Sequence, residues 1–252
     1  MSFLSNYCRN KLYGSLLGLD TFPKPEIFIG FSANAPVDPP GTVTEPIASD
    51  YNRISYNHWK ISGRNVFNNT TVTNYTRSNW GTLRYFLLWD AIKGGNLLGY
   101  GLLSSPITAT SGKVLSFSKN QLHLQIESGI ITNYLVNRFL EHLFGTTTLV
   151  STHSYIGLSY ISPGDTGIIA HPTNIDYQDI LFIGWNITTD SRLVNVESIS
   201  FIPMSDWGTL YYLYVRDAEN RVLFYAAFPT PIIADIHNPV ILDPSYLTIV
   251  FD

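Results

Sequence analysis

One cysteine, Cys8, stands in the 252 residues, so no disulfide can form within the chain and no cystine framework supports the fold. That usage suits assembly in a reducing cytoplasm. Charge is also scarce: Asp, Glu, Lys and Arg make up 13% of the residues, about half the usual globular share. The formal net charge of -4 gives no basic footprint, so nucleic acid is not an expected partner. No run of about 18 apolar residues occurs, and Met1-Ser2-Phe3-Leu4-Ser5-Asn6 has no basic segment leading into an apolar one. Neither a membrane span nor a signal peptide is expected. Without a secretory signal, the acceptor-like triplets Asn69-Thr70-Thr71, Asn74-Tyr75-Thr76 and Asn186-Ile187-Thr188 read as polar strand surface.

What the chain does contain is aromatic and repeated. Hydrophobic residues reach 45% and aromatics 14%, a balance that suits a protein burying part of its surface against neighbours. The stretch Trp80-Gly81-Thr82-Leu83-Arg84-Tyr85-Phe86-Leu87-Leu88-Trp89-Asp90-Ala91 returns as Trp207-Gly208-Thr209-Leu210-Tyr211-Tyr212-Leu213-Tyr214-Val215-Arg216-Asp217-Ala218. Both copies read as a buried strand running into a turn. Trp80 and Trp207 lie 127 positions apart, about half the chain. Gly30 and Gly157, Pro36 and Pro163, and Asp38 and Asp165 keep the same offset, while Tyr51 and Tyr177, and Trp59 and Trp185, are 126 apart. One residue has been lost in the intervening loop.

Two apolar stripes have helical spacing. Tyr7, Cys8, Leu12, Leu16 and Leu17 form the first, with Ser5 or Asn6 as cap and Gly18 as stop. Tyr134, Leu135, Phe139, Leu143 and Phe144 form the second, with Thr132 or Asn133 as cap and Gly145 as stop. Each helix leads to a strand with an internal glycine, Glu26 to Ser32 and His153 to Ser159. Pro106 and Pro231 are expected to break the pattern before the alternating final strands Leu122 to Glu127 and Leu247 to Asp252. The expected fold is therefore mainly β: two tandem β-sandwich modules, residues 1–128 and 129–252, each preceded by a short amphipathic helix. Ser128-Gly129 is too short for a long tether, so the modules should sit against each other.

The order of these features resembles a family of small structural proteins of tailed bacteriophages, often described as tail-fibre-like and usually a single module. In the first half the resemblance lies in Gly30 and Ser32, Glu45-Pro46, Tyr51-Asn52-Arg53, Trp59, Trp80-Gly81-Thr82, Asp90-Ala91 and Gly94-Gly95-Asn96-Leu97-Leu98. In the second it lies in Tyr155-Ile156-Gly157-Leu158-Ser159 and Trp207-Gly208-Thr209. There Glu-Pro has become His171-Pro172, Tyr-x-Arg has become Tyr177-Gln178-Asp179, and the Gly-Gly-Asn turn is gone. The resemblance implies a non-enzymatic virion component without catalytic residues or cofactor. Its partners would be capsid, neck or tail proteins, with several copies per particle, assembled in the bacterial host cytoplasm.

The residues themselves support no catalytic or metal centre. Asp38, Glu45 and Asp50 share one loop region, as glycosidase-type acid–base work needs, but Asp165, His171 and Asp176 do not reproduce the set, so they read as solvated loop acids. His153, Asp165 and His171 match no standard metal spacing and read as surface or hydrogen-bonded structural residues; Asp38 and Asp165 are too acid-poor a set for calcium. No Gly-x-Ser-x-Gly elbow occurs, Cys8 sits on a helix among apolar neighbours, and no helix follows Gly94-Gly95 to hold a phosphate. Tyr51, Tyr56, Trp59, Tyr75, Trp80, Tyr85 and Trp89 could line a sugar-binding face, Tyr51 and Trp59 foremost, in a receptor-binding or glycan-binding module of a tail fibre. Tyr177, Trp185 and Trp207 stand at the positions of Tyr51, Trp59 and Trp80, which equally fits core residues of a repeated fold.

Overall fold

The computed structural model describes residues 2–37, 43–127 and 129–250. The first half runs β1 (Ser2–Leu4), α1 (Asn6–Leu17), β2 (Phe28–Ser32), β3 (Ile54–Ser55), β4 (Trp59–Ser62) and β5 (Asn65–Asn68). It continues with β6 (Val72–Tyr75), β7 (Gly81–Trp89), β8 (Leu97–Ala109), β9 (Val114–Phe117) and β10 (His123–Gln125). The second half runs α2 (Asn133–Phe144), β11 (Ser154–Ser159), β12 (Ile180–Phe182), β13 (Trp185–Ile187) and β14 (Leu193–Asn195). It ends with β15 (Ile199–Phe201), β16 (Gly208–Arg216), β17 (Val222–Ala234), β18 (Val240–Leu242) and β19 (Thr248–Ile249). The protein is mainly β, with two repeated modules, each a helix followed by antiparallel sheets.

Each module has a main sheet and two smaller ones. The first orders its main sheet β1-β8-β7-β2-β3, with β10-β5-β4 and β6-β9 beside it; the second orders β12-β11-β16-β17, with β13-β14-β19 and β15-β18. Phe31 of β2 stacks on Phe117 of β9 at 5.1 Å, joining main and small sheets through the core. The paired register is the same in both copies: Phe86 faces Gly101 as Leu213 faces Ala226.

Local sequence accounts for the helices. The Ser5 hydroxyl accepts from the Cys8 amide at 3.1 Å, and Gly18 ends α1 in the left-handed region at φ 72°, where a Cβ would be strained. Thr132 caps α2 in the same way, accepting from the Leu135 amide. The buried part of α1 is wider than its apolar stripe and includes Asn6, Gly14 and Ser15, because the helix is covered on more than one side. One strand was not foreseen: β1 precedes α1 and pairs with Gly99–Gly101 of β8, and in the second copy it shrinks to the single bridge between Ile131 and Phe224.

The prolines require a correction. Pro106 and Pro231 do not break the pattern; they lie inside β8 and β17. Pairing passes from Leu83–Ile107 directly to Tyr85–Leu102, and from Leu210–Ile232 directly to Tyr212–Ala227. The prolines thus sit in a bulge, where a strand tolerates a missing N–H. The final strands are also shorter than expected, and Phe251 and Asp252 lie outside the described residues.

One apolar core runs through both modules. α1 packs on β13 of the second module, and α2 packs on β4 of the first. Since Trp59 of β4 and Trp185 of β13 are equivalent positions, the two contacts are reciprocal, as in a two-fold dimer fused into one chain. Between them the Tyr13 ring meets Phe139 at 6.0 Å and Phe224 at 5.8 Å. Arg64 secures the edge of the seam, donating to the carbonyls of Glu127 and Ile131 and to Asp165 at 2.7 Å.

Candidate functional site

The motif residues of the first module converge above Gly30 on β2. Arg53 forms a largely buried ion pair with Glu45 at 2.6 Å, lays its guanidinium over the Trp89 ring at 3.7 Å, and donates to the carbonyls of Ala91 and Gly94. The Tyr51 hydroxyl donates to Glu45 at 2.6 Å and accepts from the Phe31 amide at 2.9 Å. Burial, then the bond to Glu45, pushes this phenol far above its usual range, so it stays a neutral donor. A Cβ on Gly30 would collide with Glu45 and meet Tyr51 Oη at 3.0 Å and Trp89 Nε1 at 3.1 Å. Glycine here is a requirement of close approach.

The second module rebuilds this constellation from different residues. Arg216, at the position of Trp89, pairs with Asp179, at the position of Arg53, and lies over the Tyr155 ring at 4.4 Å. Tyr177 and Tyr214 both donate to Asp179, at 3.0 and 2.8 Å, and Gly157 is the glycine beneath. The losses noted in the sequence, of Glu-Pro and of Tyr-x-Arg, are therefore compensated within the same volume.

Two further constellations are repeated without change. Asp50 accepts from the Arg77 amide at 2.6 Å, the Ser78 hydroxyl and Trp80 Nε1 at 3.2 Å; Asp176 accepts from the Met204 amide, Ser205 and Trp207 Nε1. The Ser78 hydrogen bond, then the Arg77 amide and Trp80, hold the Asp50 carboxyl down at about 2 against the cost of desolvation. Buried Asn68 and Asn195 were missed in the sequence. Asn68 accepts from the Leu122 amide and donates to the Thr70 and Ser118 carbonyls; Asn195 accepts from the Leu247 amide and donates to the Glu197 and Asp243 carbonyls. Their offset of 127 was the available signal.

The residues weighed for chemistry are placed as follows. Glu45 is held by Arg53 and Tyr51 rather than solvated, Asp50 serves the Trp80 turn, and Asp38 lies outside the described residues. Asp165 bonds Arg64, and His171 stacks on Tyr177 at 5.6 Å. Buried His142 accepts from the Leu149 amide at 3.0 Å. Among the described residues no three His, Cys, Asp or Glu side chains come together as a metal site. Cys8 is fully buried.

Tyr51 and Trp59 do not share a face. Tyr51 is half-buried, edge-on to Trp80 at 5.0 Å, and borders a shallow cleft with Arg53 and Lys93. Trp59 is half-buried against Tyr56 at 4.9 Å and Phe144 of α2 at 5.3 Å, with its indole N–H on the Tyr56 carbonyl. It borders a separate seam cleft of about 340 Å³ with Lys24, Glu26, Ser55 and Asn57. Trp185, its counterpart, is buried and bonded to Ser154.

No curated protein matches the chain. The first module does have a family counterpart: residues 3–125 match the family described as Podophage GP4 fiber I protein gp80. Over its first half the chain is thus similar to a podophage fibre protein, and its second half repeats that module's architecture beyond the matched residues.

Proposed function

We propose that the chain is a non-enzymatic structural component of a tailed-bacteriophage virion, a fibre-associated protein that works by being assembled. The family match of the first module supports the fibre setting. The observation that supports the structural reading is the double occurrence of polar constellations that tie loops to the sheet: Glu45 with Arg53, Asp179 with Arg216, Asp50 and Asp176 with their tryptophans. Groups held this way fix the loops around them. The mechanism is interface burial on tail, neck or capsid proteins and on sister copies. A contact of about 1,600 Å² suffices, and repetition around a symmetric particle multiplies it. Residues 1–128 and 129–252 act as the two units, one anchoring and the diverged one facing a different neighbour.

An electron-microscopic reconstruction of the intact particle, compared with particles lacking this gene, tests the proposal. Ordered density for both modules that disappears in the mutant supports it and identifies the partner. Absence of the protein from wild-type particles sinks it.

A second reading, saccharide binding by a receptor-facing fibre, is favoured by one feature: the Trp59 cleft combines an aromatic edge with Glu26, Asn57 and Lys24. It predicts that Trp59→Ala abolishes saccharide affinity while the thermal transition persists. A general loss of folding in that variant assigns Trp59 to the core.

A further inference from the structure

The two modules have drifted apart in charge. Residues 1–128 hold 11 Lys and Arg against 7 Asp and Glu, a formal +4, whereas residues 129–252 hold 4 against 12, a formal -8. The divergence is sharpest at the end of each module that carries the Trp-Gly turn.

At this end of the first module Arg77, Arg84 and Lys113 are exposed. Lys113 donates to the Thr108 carbonyl at 2.8 Å, and Thr108 pairs with Thr82, two residues from Arg84, so the ammonium and the guanidinium share one face. The same positions in the second module hold Met204, Tyr211 and Asn238. Asp206 and Asp235 stand there in place of Asn79 and Thr110, and Ile233 and Ile236 in place of Thr108 and Ser111. The strand register fixes this correspondence, since Thr209 faces Ile233 as Thr82 faces Thr108. Ser111 donates to the Arg77 carbonyl at 2.8 Å, which puts its counterpart Ile236 beside Met204. Asp50 and Asp176 are present at both ends alike and do not distinguish them.

Met204, Tyr211, Ile233 and Ile236 are 80, 45, 60 and 59% exposed, and Ile175, next to Asp176, is wholly exposed. Side chains of this size leave about 600 Å² of apolar surface, the upper end of what a monomer shows in one patch. With its polar rim it approaches the ~800 Å² that one partner gives to a standard contact. The rim is acidic, through Asp206 and Asp235. A surface that matches it lies on the same chain: the basic end of the first module, which also exposes the paired Tyr75 and Val114. Two acidic ends repel each other, as do two basic ends.

We propose that copies of this chain dock head to tail, the acidic, isoleucine-rich end of the second module on the basic end of the first module of another copy. Such a contact is heterologous, so it extends a row of copies or closes a ring. It deepens the assembly reading above, on which it rests, by naming a sister copy as the neighbour of the diverged module.

Sedimentation velocity of the full-length chain, at concentrations up to about 100 µM, tests the contact. Species heavier than the 28.3 kDa monomer are expected at low salt. Their association should weaken on the order of tenfold as salt rises from about 0.05 M to about 0.5 M. R77E/R84E, which reverses the basic end, and M204R/Y211R, which gives the second end the residues of the first, should each remain monomeric. Mixed together they should associate, since one keeps its acidic end and the other its basic end. All four positions are exposed, and circular dichroism checks that each variant is folded. A chain that stays monomeric at low salt overturns the proposal. Unchanged association of R77E/R84E also overturns it, whether or not the second variant folds, and loss in M204R/Y211R alone marks a symmetric contact between two second modules instead. A mixture of folded variants that does not associate overturns it as well. Failure of the virion reading has a different signature, since the chain would then self-associate and yet be missing from particles.

Discussion

Asp179 and Arg216 form their ion pair on the two positions that hold Arg53 and Trp89 in the first module. The arginine has moved from the loop to the strand, and the carboxylate has moved to where the arginine was. What has been retained is a neutral, hydrogen-bonded unit above a glycine, because a lone charge in that volume is costly.

Breaking either pair on one side should therefore be severe. Arg53→Ala leaves Glu45 with an uncompensated charge whose side chain is 18% exposed, and Arg216→Ala does the same to Asp179 at 8%. Each is expected to lower stability by about 3–5 kcal/mol, read from urea unfolding by tryptophan fluorescence. A loss below about 1 kcal/mol would show that water enters and screens the site.

The glycines beneath the pairs should be equally intolerant. Gly30→Ala drives a methyl into Glu45, Tyr51 and Trp89, and Gly157→Ala drives one into Tyr214 and Asp179. Overpacking of this kind costs about 1–3 kcal/mol, and thermal denaturation of the two single variants measures it. Gly63→Ala is unsuitable as a control, since that glycine sits at φ 57° even though the space around it is open.

Acid should weaken the Trp-Gly turns. The Asp50 carboxyl is held at about 2 in the fold against 3.8 for the unperturbed group, and Asp176 is lowered as well. A depressed carboxylate stabilises fully above its unfolded value and loses that contribution as pH falls through the folded one. Stability should therefore decline between pH 3.8 and about 2. In Asp50→Asn/Asp176→Asn the pH dependence in that interval should be shallower, as followed by circular dichroism across an acid titration.

Asn68 and Asn195 should prove more important than their ordinary appearance in the sequence implies. Each satisfies one buried amide and two carbonyls that join distant loops. Alanine leaves these groups without partners, at about 1–3 kcal/mol for each one that water cannot reach. Hydrogen exchange at the Leu122 and Leu247 amides should accelerate in the respective variants. Unchanged protection would mean that another acceptor takes over.

Tyr13 holds the two modules together through Phe139 and Phe224. Tyr13→Ala is expected to cost about 3–5 kcal/mol, in the range of large aromatic deletions from a core. If the modules are cooperative only through this seam, calorimetry should resolve one transition into two. A single transition at lower temperature would mean that Arg64 and the linker suffice to couple them.

Much of the fold was legible because it is encoded locally. Ser5, Gly18 and Thr132 act at the helix ends as their types require, and the offset of 127 between Trp80 and Trp207 announces the repeat without any structure. The bulge at Pro106 was not legible, since a proline followed by more strand looks the same as a strand end. Glu45 was misread as solvated for a related reason: its partner Arg53 is 8 residues away, and the Trp89 that completes the site is on another strand.

The sequence by itself determined the two modules, the helix that opens each one, and the absence of a disulfide, since all of these follow from periodicity, capping chemistry and residue counts. Only the tertiary structure decided that α1 and α2 cross over to each other's module and that Asp179 and Arg216 replace Glu45 and Arg53. Those facts depend on which side chains meet across long stretches of chain. Close packing sets them, and single-chain patterns carry no record of it.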